Sequence, residues 1–107
     1  MIDNQNIRWS LLAYDAYQNI GDDIQERFGY NARSDYEKEV DETVRHLAKF
    51  PNSGKQELEL EEDGSVRSMP IRKLSKVIYF VEEDVLYIAD VWATRQDPNL
   101  LTARFEK

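Results

Sequence analysis

The hydrophobic period of this sequence changes once, at Gly54, and that change constrains the fold more than any other feature. Before Gly54 the apolar residues recur every three or four positions, which places them on one face of an α-helix. After Gly54 they alternate with polar residues or form short β-branched and aromatic runs, as strands do. Because 107 residues suffice for one domain, the sequence predicts a single α+β domain over residues 1–107.

Two amphipathic helices are predicted in the first half, after a short extended segment at Ile7-Arg8-Trp9. Ser10 is a suitable N-cap for the first helix, and Gly29 is a suitable stop. The apolar stripe of this helix consists of Ala13, Tyr17, Ile20, Ile24 and Phe28.

The second helix has a capping box that starts at Ser34, although Asn31 is an alternative earlier cap. Its predicted core stripe is Tyr36, Val40, Val44 and Leu47, with Thr43 as a further candidate. Pro51 ends the helix, and residues 51–54 form a turn because proline fixes one dihedral and glycine permits a positive one.

The first strand after Gly54 is predicted at residues 56–61, where leucines alternate with Glu57, Glu59 and Glu61. Such alternation indicates a half-buried antiparallel strand with a solvated face, rather than an acid/base pair of carboxylates. A turn at residues 63–64 closes a hairpin into a strand at residues 66–72. Pro70 within that strand indicates an edge position or a bulge.

The central strands are predicted at residues 77–81 and 85–92, joined by an acidic tip. The tail from residue 93 contains a turn or helix start at residues 97–99 and a modest apolar stripe: Leu100, Leu101 and Phe105. Because the helices cover one side of the sheet, the other side is predicted to be an open, partly apolar binding surface. It is expected to carry Val77, Tyr79 and Val81, or the residues that alternate with them.

The net charge of −7 is unevenly distributed along the chain. Residues 1–63 carry a balance of −8, from 7 basic and 15 acidic residues, whereas residues 64–107 carry +1, from 7 basic and 6 acidic residues. Arg67, Arg72, Lys73 and Lys76 lie within ten positions of each other with no acidic residue between them. The acidic half argues against strong binding to nucleic acid, but a local anionic target is compatible with this basic segment, which alternatively consists of solvated hairpin charges.

Several kinds of site are excluded or disfavoured by the residues available. The chain has no cysteine, so it contains no disulfide, thiolate zinc site or cysteine nucleophile. His46 is the single histidine, and its neighbours do not supply three convergent metal ligands. Hydrolase and nucleotide-binding motifs are absent, so no cofactor or metal is expected. No signal peptide or membrane-spanning run is recognisable, which predicts a cytoplasmic protein.

Three segments together resemble the ParE/RelE superfamily of small bacterial toxins, also known as plasmid-stabilisation proteins. They are the helix-to-turn junction at residues 44–54, the strand opening at Val66-Arg67 with the following run at residues 77–81, and the last strand with its exit at residues 86–98. The start at Trp9-Ser10 also fits, so the resemblance covers about residues 7–101. It implies an N-terminal strand, a helical hairpin and an antiparallel sheet of three to four strands.

The resemblance also implies a toxin that a cognate antitoxin holds inactive, with the antitoxin segment lying over the sheet and against the helices. Members similar to ParE poison DNA gyrase, whereas members similar to RelE cut messenger RNA on the ribosome at a metal-free site. Here the strand that would supply catalytic lysines is rich in glutamate, and the tail after Arg95 has no tyrosine or histidine. The ParE-like function, binding to a protein target, is therefore preferred.

The residues expected to bind the target or the antitoxin are Arg67, Arg72, Lys73, Lys76, Trp92 and Arg95. If the protein is a ribonuclease, Arg67 and Arg95 would bind phosphate. The alternative for both arginines is an ordinary surface ion pair with Glu59 or Asp90. Trp92 is expected in the core or in the antitoxin groove. A third possibility is an inactive module that binds the antitoxin, since an acidic chain is unusual among these basic toxins.

Overall fold

A computed structural model of the protein describes residues 2–72 and 75–93. After a short 3₁₀ turn at Asn4–Asn6 come strand β1 (Ile7–Trp9), helices α1 (Leu11–Phe28) and α2 (Tyr30–Lys49), and strands β2 (Lys55–Gln56), β3 (Arg67–Ile71), β4 (Ser75–Glu82) and β5 (Val85–Ala93). The strand order is β1-β5-β4-β3-β2. Only the β1–β5 pair is parallel among these strands. The predicted α+β class, with an N-terminal strand, a helical hairpin and a largely antiparallel sheet, is confirmed.

The first helix begins and ends where the sequence predicts. The Ser10 hydroxyl accepts a hydrogen bond from Ala13 N (2.9 Å) and donates one to Ala89 O (2.8 Å), so the cap also ties the helix to β5. Gly29 ends the helix with a φ of 95°, a value that glycine adopts without the steric cost of a side chain. The predicted stripe fails only at Phe28, which is 67% exposed because it lies in the last turn beyond the buried part of the helix.

The second helix starts at Tyr30, earlier than either predicted cap. Ser34 and Asn31 lie inside the helix, because Gly29 is the one residue between α1 and α2 and is itself the N-cap of α2. Arg33 Nη1 holds the first turn against α1 through Asp22 Oδ1 at 2.6 Å. The predicted stripe of Tyr36, Val40, Val44 and Leu47 is buried as expected.

The sheet has an inner face, covered by the two helices, and an outer face on its opposite side. Buried inner-face residues of the strands pack with α1 and α2 in the main core; they are Ile71, Val77, Tyr79, Leu86, Ile88 and Val91. A smaller cluster on the outer face consists of Val66, Ile78 and Trp92. Val77 and Tyr79 therefore lie on the helix side. The prediction that these two residues lie on the open face is wrong, and the residues that alternate with them, such as Ile78, lie there instead.

The predicted strand at residues 56–61 is wrong beyond Gln56. After Glu57 N donates to Val66 O (2.8 Å), the chain turns: Leu60 N and Glu61 N both donate to Glu57 O, at 3.0 and 3.2 Å. Leu58 is 55% exposed, while the side chain of Glu57 is 14% exposed, so the glutamates do not share one solvated strand face. The chain after Glu57 therefore forms local backbone hydrogen bonds in a turn, although its side chains alternate as they would in a strand.

Pro70 lies on an edge, as predicted. Within the described part of the sheet, β2 pairs only with Arg67 and Ser68 of β3, so the backbone of Pro70 has a strand neighbour on the β4 side alone. Edge strands are where proline is found within sheets, because it has no N–H to donate to a neighbouring strand. The predictions for the tail from residue 94, including Arg95, and for Lys73 fall outside the described residues.

Candidate partner-binding surface

The outer face of the sheet carries a pair of aromatic residues that the helices do not cover. Phe80 on β4 and Tyr87 on β5 are cross-strand neighbours, and their rings stack at 5.0 Å between centroids with an interplanar angle of 15°. Both side chains are half-buried. Leu60 and Ala89 extend this apolar surface toward the buried outer cluster.

A bulge in β5 sets which side chains reach this face. The register shifts between Ile78 and Tyr79, which pair with Asp90 and Ile88 respectively, so Ala89 is the extra residue. A bulge changes the direction of the residues that follow it. It brings Val91 to the inner core while Trp92 joins the outer cluster.

A groove of about 520 Å³ runs along the outer face beside the aromatic pair. We call it the outer groove; it is lined by Arg8, Trp9, Ser10, Phe80, Tyr87, Ile88 and Ala89. Arg8 is exposed, and its Nη1 donates to Gln5 O (2.6 Å) and Ile7 O (3.2 Å). The groove is thus an apolar surface with a cation at one side, open to a partner that supplies apolar side chains.

Lys76 and Trp92 are brought together on the outer face, since they are register partners in β4 and β5. Lys76 Nζ donates to Glu57 Oε2 at 2.7 Å. Burial raises the pKa of Glu57, but the hydrogen bonds from Lys76 and Ser68 and the charge of Lys76 outweigh burial and lower the pKa overall. Trp92 is 3% exposed and packs in the outer cluster, so its ring serves as part of the support for this surface.

Arg67 lies away from the outer face, where it holds the turn that follows α2. Its Nη1 donates to Gly54 O (2.8 Å) and Asn52 O (3.2 Å). The Tyr79 hydroxyl reaches the same turn, donating to Pro51 O (2.7 Å) and accepting from Gly54 N (3.0 Å). Burial raises the pKa of Tyr79, although the bond from Gly54 and the charge of Arg67 lower it in part.

Arg72 pairs with Glu39 on α2, so it lies on the helix side of the sheet. It is exposed and has a positive φ of 51° at the end of β3. Lys76 pairs with Glu57 on the outer face instead. Arg72 and Lys76 therefore pair with different acidic residues, while Arg67 holds backbone carbonyl groups, so the described members of the predicted basic segment do not form one patch. Lys73 and Arg95 lie outside the described residues.

Within residues 2–72 and 75–93 there is no group of three potential metal-ligating side chains. His46 lies near the end of α2, with its ring 5.1 Å from that of Phe50. In the same ranges no helix is long and apolar enough to cross a membrane.

The comparison with known families decides the classification. The model of the ParE toxin of type II toxin-antitoxin system, parDE, matches residues 7–98, which is most of the chain. The chain belongs to the ParE toxin family. The resemblance seen in the sequence is thereby confirmed, since this family consists of toxins of type II toxin-antitoxin systems.

A solved structure supports the fold. The chain superimposes on a chain from the chromosomal ParDE TA system from P. aeruginosa with a TM-score of 0.67 at 18% identity, covering 82% of this chain and 94% of that one. Among curated protein sequences there is no match.

The sequence pattern offers Phe80 only as one of the alternative residues for the open face, and it does not point to Arg8 or Tyr87 as surface residues. Within the run from Val77 to Val81 every residue is apolar or aromatic, so alternation gives no sign of which side is covered. One sequence feature could have indicated the pair: Phe80 and Tyr87 lie two and three residues from the acidic tip that joins β4 and β5, so a hairpin brings them close together.

Proposed function

We propose that this protein is the toxin of a toxin-antitoxin pair, that it acts by binding DNA gyrase, and that a cognate antitoxin neutralises it by covering the outer groove. The observation that carries the proposal is the half-buried stacked pair of Phe80 and Tyr87, on the sheet face that helices α1 and α2 leave uncovered in a ParE family member. Apolar surface of this kind is a binding surface by default. An antitoxin segment would fold onto it as it binds.

A binding function fits the contacts of the described cations Arg67 and Lys76 better than a ribonuclease does. Metal-free cleavage of RNA needs cations that are free to stabilise the phosphorane charge. Arg67 is engaged with two backbone carbonyl groups, and Lys76 is engaged with Glu57. These contacts support recognition of a protein target over phosphate chemistry.

The toxin assignment is tested by induced expression in a bacterial host that lacks the adjacent antitoxin gene. We expect growth arrest with induction of the DNA damage response, and rescue when the product of the adjacent open reading frame is co-expressed. Purified protein should inhibit supercoiling by gyrase. New codon-phased 5′ ends in primer extension would instead identify a ribonuclease, and normal growth with intact supercoiling would leave only an antitoxin-binding module.

The antitoxin surface is tested by measuring the affinity of the antitoxin for single-residue variants. Phe80→Ala and Tyr87→Ala should each weaken binding by about tenfold, because each removes one ring of the stacked pair. Phe28→Ala is the matched control, since Phe28 is a large exposed aromatic residue that does not line the outer groove. Equal affinities for all three variants and the wild type would place the antitoxin elsewhere.

A further inference from the structure

Three aromatic side chains converge where β1 leads into α1, on the helix side of the sheet. The Trp9 and Tyr17 ring centroids are 5.5 Å apart at 56°, and those of Tyr14 and Tyr17 are 6.3 Å apart at 49°. Tyr14 is 49% exposed, while Trp9 and Tyr17 are half-buried. Trp9 and Tyr17 pack against the main core, where Tyr17 stacks on the buried Tyr36 with 5.7 Å between ring centroids at 25°. The parts of these rings that the core does not cover, together with Tyr14, border an open space.

This space is a cavity of about 290 Å³, which we call the aromatic groove. It is lined by Trp9, Tyr14, Tyr17, Glu37, Val40 and Asp41. Its two ionisable acidic residues come from successive turns of α2, at positions i and i+4, which lie on one helix face. Two carboxylates and three aromatic rings thus share one concave surface.

No lysine or arginine is among the described residues that line the aromatic groove. Arg33 reaches Glu37 only at 3.6 Å, since its guanidinium is committed to Asp22 (2.6 Å) and Gln18 (2.8 Å). Arg45 pairs with Asp41 at 3.2 Å, but this exposed pair is weak and exchangeable. The groove is left with negative charge that its neighbours offset only in part.

The electrostatic environment of Tyr17 is consistent with that charge. Burial raises the pKa of Tyr17 first, and the charge of Glu37 raises it further, while Arg33 lowers it and Asp41 raises it slightly. A cation placed in the groove would lie near both carboxylates and beside the aromatic rings, whose electron-rich surfaces attract cations. Residues 1–63 as a whole, with Glu37 and Asp41 included, carry a balance of −8, so the groove lies in a net negative field.

We propose that the aromatic groove binds an arginine side chain carried by a polypeptide partner. A planar guanidinium stacks on aromatic faces and donates to carboxylates in parallel, which an ammonium group does less well. The groove is distinct from the outer groove in its acidic residues, although Trp9 lines both. The inference does not depend on which protein the toxin targets, because it concerns the chemistry of one docking position.

The probe is the capped tripeptide Gly-Arg-Gly, titrated into ¹⁵N-labelled protein while the indole N–H signal of Trp9 is followed by NMR. We expect saturable, millimolar binding that shifts Trp9 more than Trp92 and weakens with salt. The tripeptide with citrulline in place of arginine keeps the shape and loses the charge, so it should bind at least about fivefold more weakly. The lysine tripeptide should fall between the two.

The double variant Glu37→Gln with Asp41→Asn should weaken the arginine peptide by about fivefold or more, and Tyr14→Ala should act in the same direction. All three positions are partly or largely exposed, so these variants keep the fold. Asp23→Asn is the matched control: it removes an equivalent i,i+4 pair with Arg27 (3.1 Å) on α1, outside the groove. Unchanged binding in the double variant, equal binding of citrulline or lysine peptide, or the absence of any Trp9 shift would overturn the proposal.

Discussion

Strands β4 and β5 contribute residues to both the inner and the outer face of the sheet, but the two faces differ in how far their side chains are buried. Inner-face residues such as Val77 and Ile88 are fully buried against the two helices. On the outer face the buried apolar residues of the described chain form a small cluster around Ile78, and Phe80 and Tyr87 remain half-buried. The difference indicates that most of the folding free energy comes from the inner face, so that the outer face is free to be shaped by recognition.

The largest expected effect on stability is at Leu47 of α2, which packs in the main core against the inner face of the sheet. This side chain is 0% exposed, so Leu47→Ala removes buried apolar surface and leaves a cavity. We expect the free energy of unfolding to fall by about 2–5 kcal/mol. Urea denaturation followed by circular dichroism measures it. Leu58→Ala makes the same chemical change at a side chain that is 55% exposed, and should cost no more than about 0.5 kcal/mol.

The next effect concerns the hydroxyl of Tyr79, which is also buried on the inner face. Tyr79→Phe keeps the ring but leaves Gly54 N and Pro51 O without their hydrogen-bond partner. We expect a loss of about 1–3 kcal/mol in unfolding free energy. Tyr87→Phe on the outer face should be close to neutral in the same denaturation assay. Equal losses at the two tyrosines would contradict the distinction between the faces.

A smaller effect is expected from the stacked pair on the outer face. The coupling between Phe80 and Tyr87, from a double-mutant cycle of alanine variants, should be about 0.5–1.5 kcal/mol of stability. The same variants should change antitoxin affinity more than stability if this face is shaped for binding. A stability loss comparable to that of Leu47→Ala would mean that the outer face is a second core.

The smallest effect is the pH dependence contributed by Glu57 and Lys76. The pKa of Glu57 is lower in the folded protein, so its stabilisation is fully present above the ordinary glutamate pKa and is lost as pH falls through the folded pKa. Lys76→Met should therefore cost less than about 1 kcal/mol near neutral pH, and this difference should shrink on acidification. Denaturation midpoints of wild type and variant, measured from neutral to acidic pH, test the sign. A difference that grows on acidification would contradict it.

Much of the fold was predictable because it depends on local chemistry. The Ser10 cap, the Gly29 stop and the buried stripe of α2 were all predicted from the sequence, since each needs only a residue type and its spacing. The same locality explains the failure at Ser34: a capping box is a weak preference, and Gly29 had already started the helix. Prediction was poorer wherever two local patterns competed.

The candidate sites were less predictable because each assembles residues that are distant in the sequence. The guanidinium of Arg67 holds the carbonyl groups of Asn52 and Gly54, a contact that the sequence does not predict, and its role in binding stays a prediction. The aromatic groove joins Trp9 and Tyr14 to Glu37 of another helix. Spacing along the chain carries no information about such pairs, which depend on how the helices cross the sheet.

The sequence by itself determined the α+β class, the order of helices and strands, and membership of the ParE family. Hydrophobic periodicity and the order of motifs can be read along the chain without knowing which residues are in contact. Only the tertiary structure decided that Ile78 and Phe80, and not Val77 and Tyr79, lie on the outer face. An uninterrupted apolar strand is compatible with either orientation, since both of its sides can be buried. Its orientation is set by the packing of Val77 and Tyr79 with the helices and by the bulge at Ala89, and both are properties of the assembled fold.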